Sequence, residues 1–132
     1  MLLACCASCS DDDNGPLTNW QLNEELSDDF NSWNPEKWGT DVWVTSSVYA
    51  FRDENVSVSE GCLRLAVKKE EYNGMHYTAA RVKSKFLIGA NSAVEVRARL
   101  VKHAAHVSNA IWMSEAPAPW RNPNLEIDIV ET

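Results

Sequence analysis

Residues 124–132 read NLEIDIVET. The stretch is rich in Ile and Val, which favour strands, yet it carries three carboxylates, Glu126, Asp128 and Glu131. In a strand, successive side chains alternate between faces. Glu126 and Asp128 therefore share one face, while Ile127 and Ile129 point the other way, into a core. Strict alternation then sends Glu131 to the face of the isoleucines. Burying a carboxylate among aliphatic residues is costly unless it is paired. One extra residue in the strand, a β-bulge near Ile129 or Val130, resets the phase and returns Glu131 to the face of the other two acids. The uneven spacing thus predicts a bulged strand with all three acids on one side.

Acids gathered on one face repel one another, so a reason is needed for holding them together. One is carboxylate chemistry on a glycosidic bond. Retaining glycosidases place two carboxyl groups about 5 to 5.5 Å apart, one as nucleophile and one as acid and base. Neighbouring same-face positions of a strand have about that separation. Repulsion between adjacent carboxylates raises the pKa of one of them, so that it holds its proton. Asp128, lying between the glutamates, is placed to hydrogen-bond the nucleophile. A calcium site is a second use of clustered carboxylates, but calcium loops are Gly- and Asp-rich turns rather than Ile-rich strands. An exposed acidic face without chemistry is the third reading.

The same period of two extends outward from this segment. SNAIWMS, residues 108–114, is a short strand just upstream, which puts Trp112 beside the acids. In AVEVRARLV, residues 93–101, Val94, Val96, Ala98 and Leu100 alternate with Glu95, Arg97 and Arg99. That is the pattern of a strand with one buried and one wet face. YTAARVKSKF, residues 77–86, places Thr78, Ala80 and Val82 on one side. NVSVSEGCLRLAV, residues 55–67, reads as two strands around Gly61. Turn chemistry separates these runs in NPEKWG, SEG, EYNGM and IGANS, and a Pro-rich loop spans residues 114–124. Short strands between regular turns predict an all-β antiparallel sandwich, with no helix longer than about two turns.

Bulk composition narrows the function. The 132 residues suit one domain. Acids outnumber Lys plus Arg by 19 to 12, a formal net charge of −7, which argues against a nucleic-acid partner. No apolar run is long enough to span a membrane. Cys5, Cys6 and Cys9 crowd the start and Cys62 stands alone in the body, so the cysteines are no disulfide framework. Cys62 reads as a small core residue. The six tryptophans are many for this length. Trp112 is the strongest candidate for a sugar-stacking platform, Trp43 and Trp120 are further cleft candidates, and Trp33 and Trp38 read as structural. Arg52 is a candidate contact to an anionic sugar, with a surface ion pair as the more common use. His103 and His106 have no acid or Cys nearby in sequence and read as solvated loop residues.

In this order and context, EIDIVE resembles the bulged Glu-x-Asp-x-x-Glu catalytic strand of glycoside hydrolase family 16. The stretches DDFNSWNPEKWG, ENVSVSEGCLRLAV, YTAARVKSKF, AVEVRARL and SNAIWM are similar to the segments that precede that strand in the family. The resemblance covers roughly residues 26–132. It implies a concanavalin-like β-jelly-roll sandwich with a sugar cleft on its concave face. It also implies Glu126 as nucleophile, Asp128 as its helper and Glu131 as acid and base. The family's segment before the fourth of these strands often opens with an aromatic-Gly pair, whereas FLIGANSA stands here. A complete jelly roll of this kind takes about 200 to 250 residues, so residues 26–132 are expected to be the N-terminal half of a catalytic domain, truncated after the catalytic strand and inactive alone.

The bulged spacing is similar to that of laminarinases, agarases, porphyranases and carrageenases. SSVYAFRDENV and HVSNAIWM look nearer to the galactan-cleaving branch. The implied substrate is a red-algal galactan, agarose or porphyran, with β-1,3-glucan as the alternative. A different class of alternative is a non-catalytic sugar-binding sandwich, since about 100 residues can complete one. No cofactor is implied for the reaction, and the family's structural Ca²⁺ would draw on Asp28 or Asp29. The first residues, MLLACCASCSDDDNG, resemble the end of a bacterial lipoprotein signal. There, small residues precede a cysteine that is lipidated, and an acidic tether follows. Cys5 and Cys9 both fit, and SDDDNG after Cys9 favours Cys9. The signal's basic region is missing, and a plain acidic tail is the other reading. Residues 1–25 are accordingly expected to be a signal remnant and tether outside the fold. The implied localisation is export to the outer membrane of a Gram-negative bacterium, held by lipid alone.

Overall fold

The computed structural model describes residues 20–40, 48–89, 91–101, 107–114 and 126–132. The candidates Trp43, Trp120 and Cys9, together with Cys5, Cys6, His103, His106 and most of the Pro-rich loop, lie outside the described residues. The chain divides into two compact units, Met1–Arg99 and Leu100–Thr132.

The first unit holds seven of the described strands. In chain order they are β1 (Trp38–Gly39), β2 (Tyr49–Phe51), β3 (Val56–Val58), β4 (Leu63–Leu65), β5 (Lys68–Tyr72), β6 (Met75–Ala79) and β7 (Lys83–Ser84). Among the described residues, the only helical piece is a single 3₁₀ turn at Asp53–Asn55. The all-β expectation therefore holds at the level of class. No helix among the described residues is long and apolar enough to cross a membrane.

Two tight turns organise this unit. β3 and β4 pair antiparallel, with Val58 opposite Leu63. Ser59 and Cys62 exchange backbone hydrogen bonds of 3.0 and 3.1 Å around Glu60 and Gly61. Glu60 sits at φ 54° and Gly61 at φ 64°, the double left-handed conformation of a two-residue type I′ turn. β5 and β6 repeat the device around Asn73 (φ 50°) and Gly74 (φ 79°), with Tyr72 opposite Met75. Asn-Gly is the strongest short-range hairpin signal because both residues tolerate that region. One extra residue bulges β5 between Lys69 and Tyr72.

Long-range pairing departs from the antiparallel expectation. β2 runs parallel to β6, with Ala50 opposite Thr78, so the sheet order is β2-β6-β5. β1 pairs antiparallel with β7. YTAARVKSKF is not one strand: β6 stops at Ala79, residues 80–82 belong to no strand, and β7 resumes at Lys83. A larger departure concerns AVEVRARLV. Residues 91–101 belong to no strand. Alternation marks a segment as able to be a strand, but a ladder also needs a neighbouring backbone, and none of the described strands pairs with this segment.

The core of the first unit is small and partly polar. Among the described residues, Phe30, Cys62 and Leu63 are its buried apolar side chains, and Cys62 is a core residue, as its place in CLRLAV predicts, with a free thiol. Burying a Phe or Leu side chain contributes about 1.5–3 kcal/mol. Phe30 lies 5.4 Å from Trp38 between ring centroids, and Trp38 lies edge-on at 5.4 Å to Phe86. Asp28 stitches this cluster together: Oδ1 accepts the Phe30 N–H at 2.8 Å and Oδ2 accepts the Trp38 indole N–H at 2.7 Å. Trp38 is thus structural, in line with its reading from sequence. Nearby, Asn55 and Thr78 are buried together, and the Asn55 Nδ2 donates to Thr78 Oγ1 at 2.8 Å. The Lys37 ammonium donates to the carbonyls of Glu24 and Ser27. The expected tether boundary at residue 25 therefore falls inside a turn that is tied to the body.

The second unit contains β8 (Ala110–Ser114) and β9 (Glu126–Glu131), paired antiparallel. Ile127 and Ile129 do not enter a core as the alternation argument expects. They are 62% and 42% exposed. The opposite face of a strand is buried only if something packs on it, and strand periodicity says nothing about that.

Candidate active site

β8 and β9 form because each carries β-branched or aromatic residues, Ile111 and Trp112 in one, Ile127, Ile129 and Val130 in the other. Their register decides what the acids share. Ser114 is opposite Glu126, Met113 opposite Ile127 and Trp112 opposite Asp128. The ladder then slips: Ile111 is opposite Val130 and Ala110 opposite Glu131, which leaves Ile129 as the extra residue. This is a bulge at one of the two positions that the acid spacing predicts.

Residues opposite one another in a ladder lie on the same face. Ala110, Trp112 and Ser114 alternate along β8, so they share a face, and their partners Glu131, Asp128 and Glu126 share it with them. Met113, Ile127, Ile111 and Val130 make up the reverse side. All three acids are exposed, and Trp112, half-buried, stands among them opposite the middle acid. Among the described residues no cation is paired with any of the three carboxylates. The bulge thus builds an acidic face with one indole at its centre. Ala110 and Ser114, small residues that the sequence did not single out, flank that indole opposite the two glutamates. Only the register reveals them.

A metal reading has less to work with. Among the described residues no three His, Cys, Asp or Glu side chains converge closely enough to hold an ion. Both Asp28 oxygens accept hydrogen bonds from Phe30 and Trp38. Asp29 accepts from the backbone and side chain of Asn31.

Arg52 belongs to the first unit, and its guanidinium is engaged there. It lies 3.1 Å from a Glu54 oxygen and 3.5 Å from Glu70, and it stacks 4.3 Å from the centre of the Tyr72 ring. The ion-pair use is the one the geometry displays. Glu70 in turn accepts the Thr78 hydroxyl. That hydrogen bond, and next the nearby Arg52 charge, outweigh burial and hold the Glu70 carboxyl below its usual range. Glu54 is likewise lowered, first by its own backbone N–H and then by Arg52. A hollow of about 280 Å³ opens beside Trp33, Thr40, Asp53, Val56, Ser57 and Val58. None of the described site candidates lines it.

Asn109 is the other residue that sequence reading passed over. It sits one position before β8; its side chain hydrogen-bonds the Val101 backbone, and its backbone and side chain both hydrogen-bond Thr132. Nothing in the local sequence marks it, because both partners are distant along the chain.

Comparison with known proteins gives limited context. No family model matches the chain, and no solved structure matches it. The clotting factor G alpha subunit of Tachypleus tridentatus is 34% identical over 73 residues, which take in 51% of this chain. The chain spans only 10% of that relative's length.

Proposed function

We propose that the acid face of β8 and β9 is the catalytic face of an endo-acting retaining β-glycosidase whose substrate is a red-algal galactan, agarose or porphyran. The observation that carries this reading is the bulge at Ile129, which aligns Glu126, Asp128 and Glu131 on one side with Trp112 between them. A bulge interrupts the ladder and has no evident benefit to this hairpin other than the phase it sets. The resemblance of EIDIVE and its flanking segments to glycoside hydrolase family 16 supplies the assignment of roles.

In this mechanism the ionised Glu126 carboxylate attacks the anomeric carbon while Glu131, protonated, gives its proton to the departing glycosidic oxygen. The C–O bond breaks and a glycosyl ester forms on Glu126. Glu131, now ionised, takes a proton from water as the water oxygen attacks the same carbon. The ester breaks, Glu126 leaves as carboxylate, and configuration is retained. Asp128, in its protonated form, donates a hydrogen bond to the Glu126 carboxylate before attack and after release, and Trp112 offers a ring for a sugar to stack on. The nucleophile, the acid and water complete the reaction without a cofactor. Export and lipid anchoring through Cys9 at the outer membrane would put such an enzyme where large polysaccharides are met.

The test is cleavage of agarose, porphyran and a β-1,3-glucan by the complete catalytic domain that the family resemblance implies, with product stereochemistry read by proton NMR at early times. Retained product from a galactan supports the proposal. Cleavage of the glucan instead moves the substrate to the alternative branch. Inverted product would mean that the glutamates flank a water, and Glu126 would lose its role as nucleophile. Binding without cleavage would make the chain a sugar-binding sandwich.

A further inference from the structure

Glu131 is the acid least secured by the β8–β9 ladder. Glu126 and Asp128 lie in a regular stretch, opposite Ser114 and Trp112. Beyond Asp128 the register breaks at Ile129, and Val130 then pairs with Ile111 and Glu131 with Ala110. The disrupted ladder at a bulge secures the residue beyond it less well than a regular stretch does. A group that must give and take a proton at a fixed point tolerates little motion.

The hold lies one residue further on. The Thr132 N–H donates to the Asn109 carbonyl at 3.1 Å. The Asn109 N–H donates to Thr132 Oγ1 at 3.3 Å, and Asn109 Nδ2 donates to the same oxygen at 3.1 Å. Ser108 Oγ donates to the Thr132 carbonyl at 2.6 Å. The Asn109 carboxamide also reaches the other way. Its Oδ1 accepts the Val101 N–H at 3.1 Å, and its Nδ2 donates to the Val101 carbonyl at 3.1 Å. The side chain imitates a peptide unit facing Val101, so one residue ties three stretches of backbone together next to Glu131.

We infer that Asn109, acting through the Thr132 hydroxyl, is a positioning residue for Glu131. The inference rests on the catalytic reading of the acid face and adds to it a residue that touches no sugar. Its signature is selectivity. If Asn109 only knits the unit together, its loss harms every activity alike. If it sets the position of the acid, its loss harms the step that needs a proton delivered to the leaving group.

The experiment compares wild type with Asn109→Ala, Thr132→Val and Thr132→Ser, each in the complete catalytic domain, on the polysaccharide and on an aryl glycoside whose leaving group departs without a proton. Asn109→Ala and Thr132→Val are expected to lower kcat/KM on the polysaccharide by about tenfold to a hundredfold and to leave kcat/KM on the aryl glycoside nearly unchanged, because that ratio reports ester formation, which precedes the step in which Glu131 acts as base. Thr132→Ser, which keeps the hydroxyl, restores both. Equal losses on the two substrates, or none, overturn the inference. The two Thr132 variants differ by small groups at an exposed position, so they judge it even if Asn109→Ala does not fold. Should wild type cleave neither substrate, the functional reading fails separately. The carbon-13 resonance of the Glu131 carboxyl then decides: a shift in Thr132→Val that Thr132→Ser reverses supports positioning, and an unmoved resonance overturns it.

Discussion

At the scale of single residues, the two type I′ turns differ in one respect that predicts their response to mutation. Asn73-Gly74 uses residues that tolerate φ above zero, whereas Glu60 occupies that region at φ 54° with an ordinary side chain. A left-handed conformation costs a non-Gly residue roughly 1–2 kcal/mol, with Asn less penalised. Glu60→Asn is therefore expected to raise stability by about 0.5–1 kcal/mol. Its exposed ion pair to Arg64 returns little of that. Gly61→Ala is expected to lower stability by about 1 kcal/mol. A Cβ there would meet Asn31 and Asp29 only at 3.7 and 3.8 Å, so the penalty is in the backbone rather than in a clash. Urea unfolding of the three proteins checks both signs.

Glu70 supplies the pH dependence at this scale. Its folded carboxyl is lowered, chiefly by the Thr78 hydroxyl and next by Arg52. A depressed acid contributes stability that is fully present above its unfolded value and is lost as pH falls through the folded value. The unfolding midpoint is thus expected to fall on acidification below the ordinary carboxylate range. Glu70→Gln is expected to flatten that part of the profile while lowering the neutral-pH midpoint. A wild-type midpoint that is unchanged across that range would contradict the assignment.

At the scale of elements, the bulge makes an unusual pair of predictions. Side-chain direction has period two, so removing one residue at the bulge and adding one are not equivalent. Deleting Ile129 converts β9 to a regular strand in which Glu131 still faces Ala110 and all three acids still share a face. Inserting an alanine between Val130 and Glu131 sends Glu131 to the reverse side. On the proposed mechanism, the deletion is expected to cost about tenfold in kcat through altered spacing. The insertion is expected to cost about a hundredfold or more, as loss of the general acid does. Glu131→Gln, assayed beside them, should match the insertion and spare kcat/KM for substrates whose leaving groups need no proton. Equal activity of deletion and insertion would mean that the shared face is not what the bulge provides.

At the scale of the whole molecule, each unit carries exposed apolar side chains. In the second, Ile127 and Ile129 stand out on β9. In the first, Leu87 is 72% exposed. Exposed apolar patches of this kind promote association. The net charge of −7 opposes it at neutral pH, less so as pH falls toward the sequence pI of about 4.9. Concentration-dependent self-association is therefore expected, rising toward that pH, and Ile127→Lys is expected to reduce it without touching the acid face. Sedimentation velocity at two pH values provides the check, and a monomer under all conditions would refute it.

What local sequence determined is visible in particular places. Asn73-Gly74 and Glu60-Gly61 close their hairpins where their conformational freedom allows it. Cys62 and Leu63, adjacent apolar residues, both go inside. The spacing of Glu126, Asp128 and Glu131 demands a bulge, and the bulge is at Ile129. Each of these follows from sterics and side-chain direction over a few adjacent residues. Other features depended on partners far along the chain. VEVRARL has the pattern of a strand and pairs with none of the described strands. β2 joins β6 in parallel, and Arg52 finds Glu70 and Tyr72 rather than standing free. Asn109 looks like any polar residue until Val101 and Thr132 come beside it. Ile127 and Ile129 are turned away from the acids by alternation, but alternation cannot provide the surface that would bury them. Local rules fix which way a side chain points, and only tertiary structure decides what, if anything, it meets.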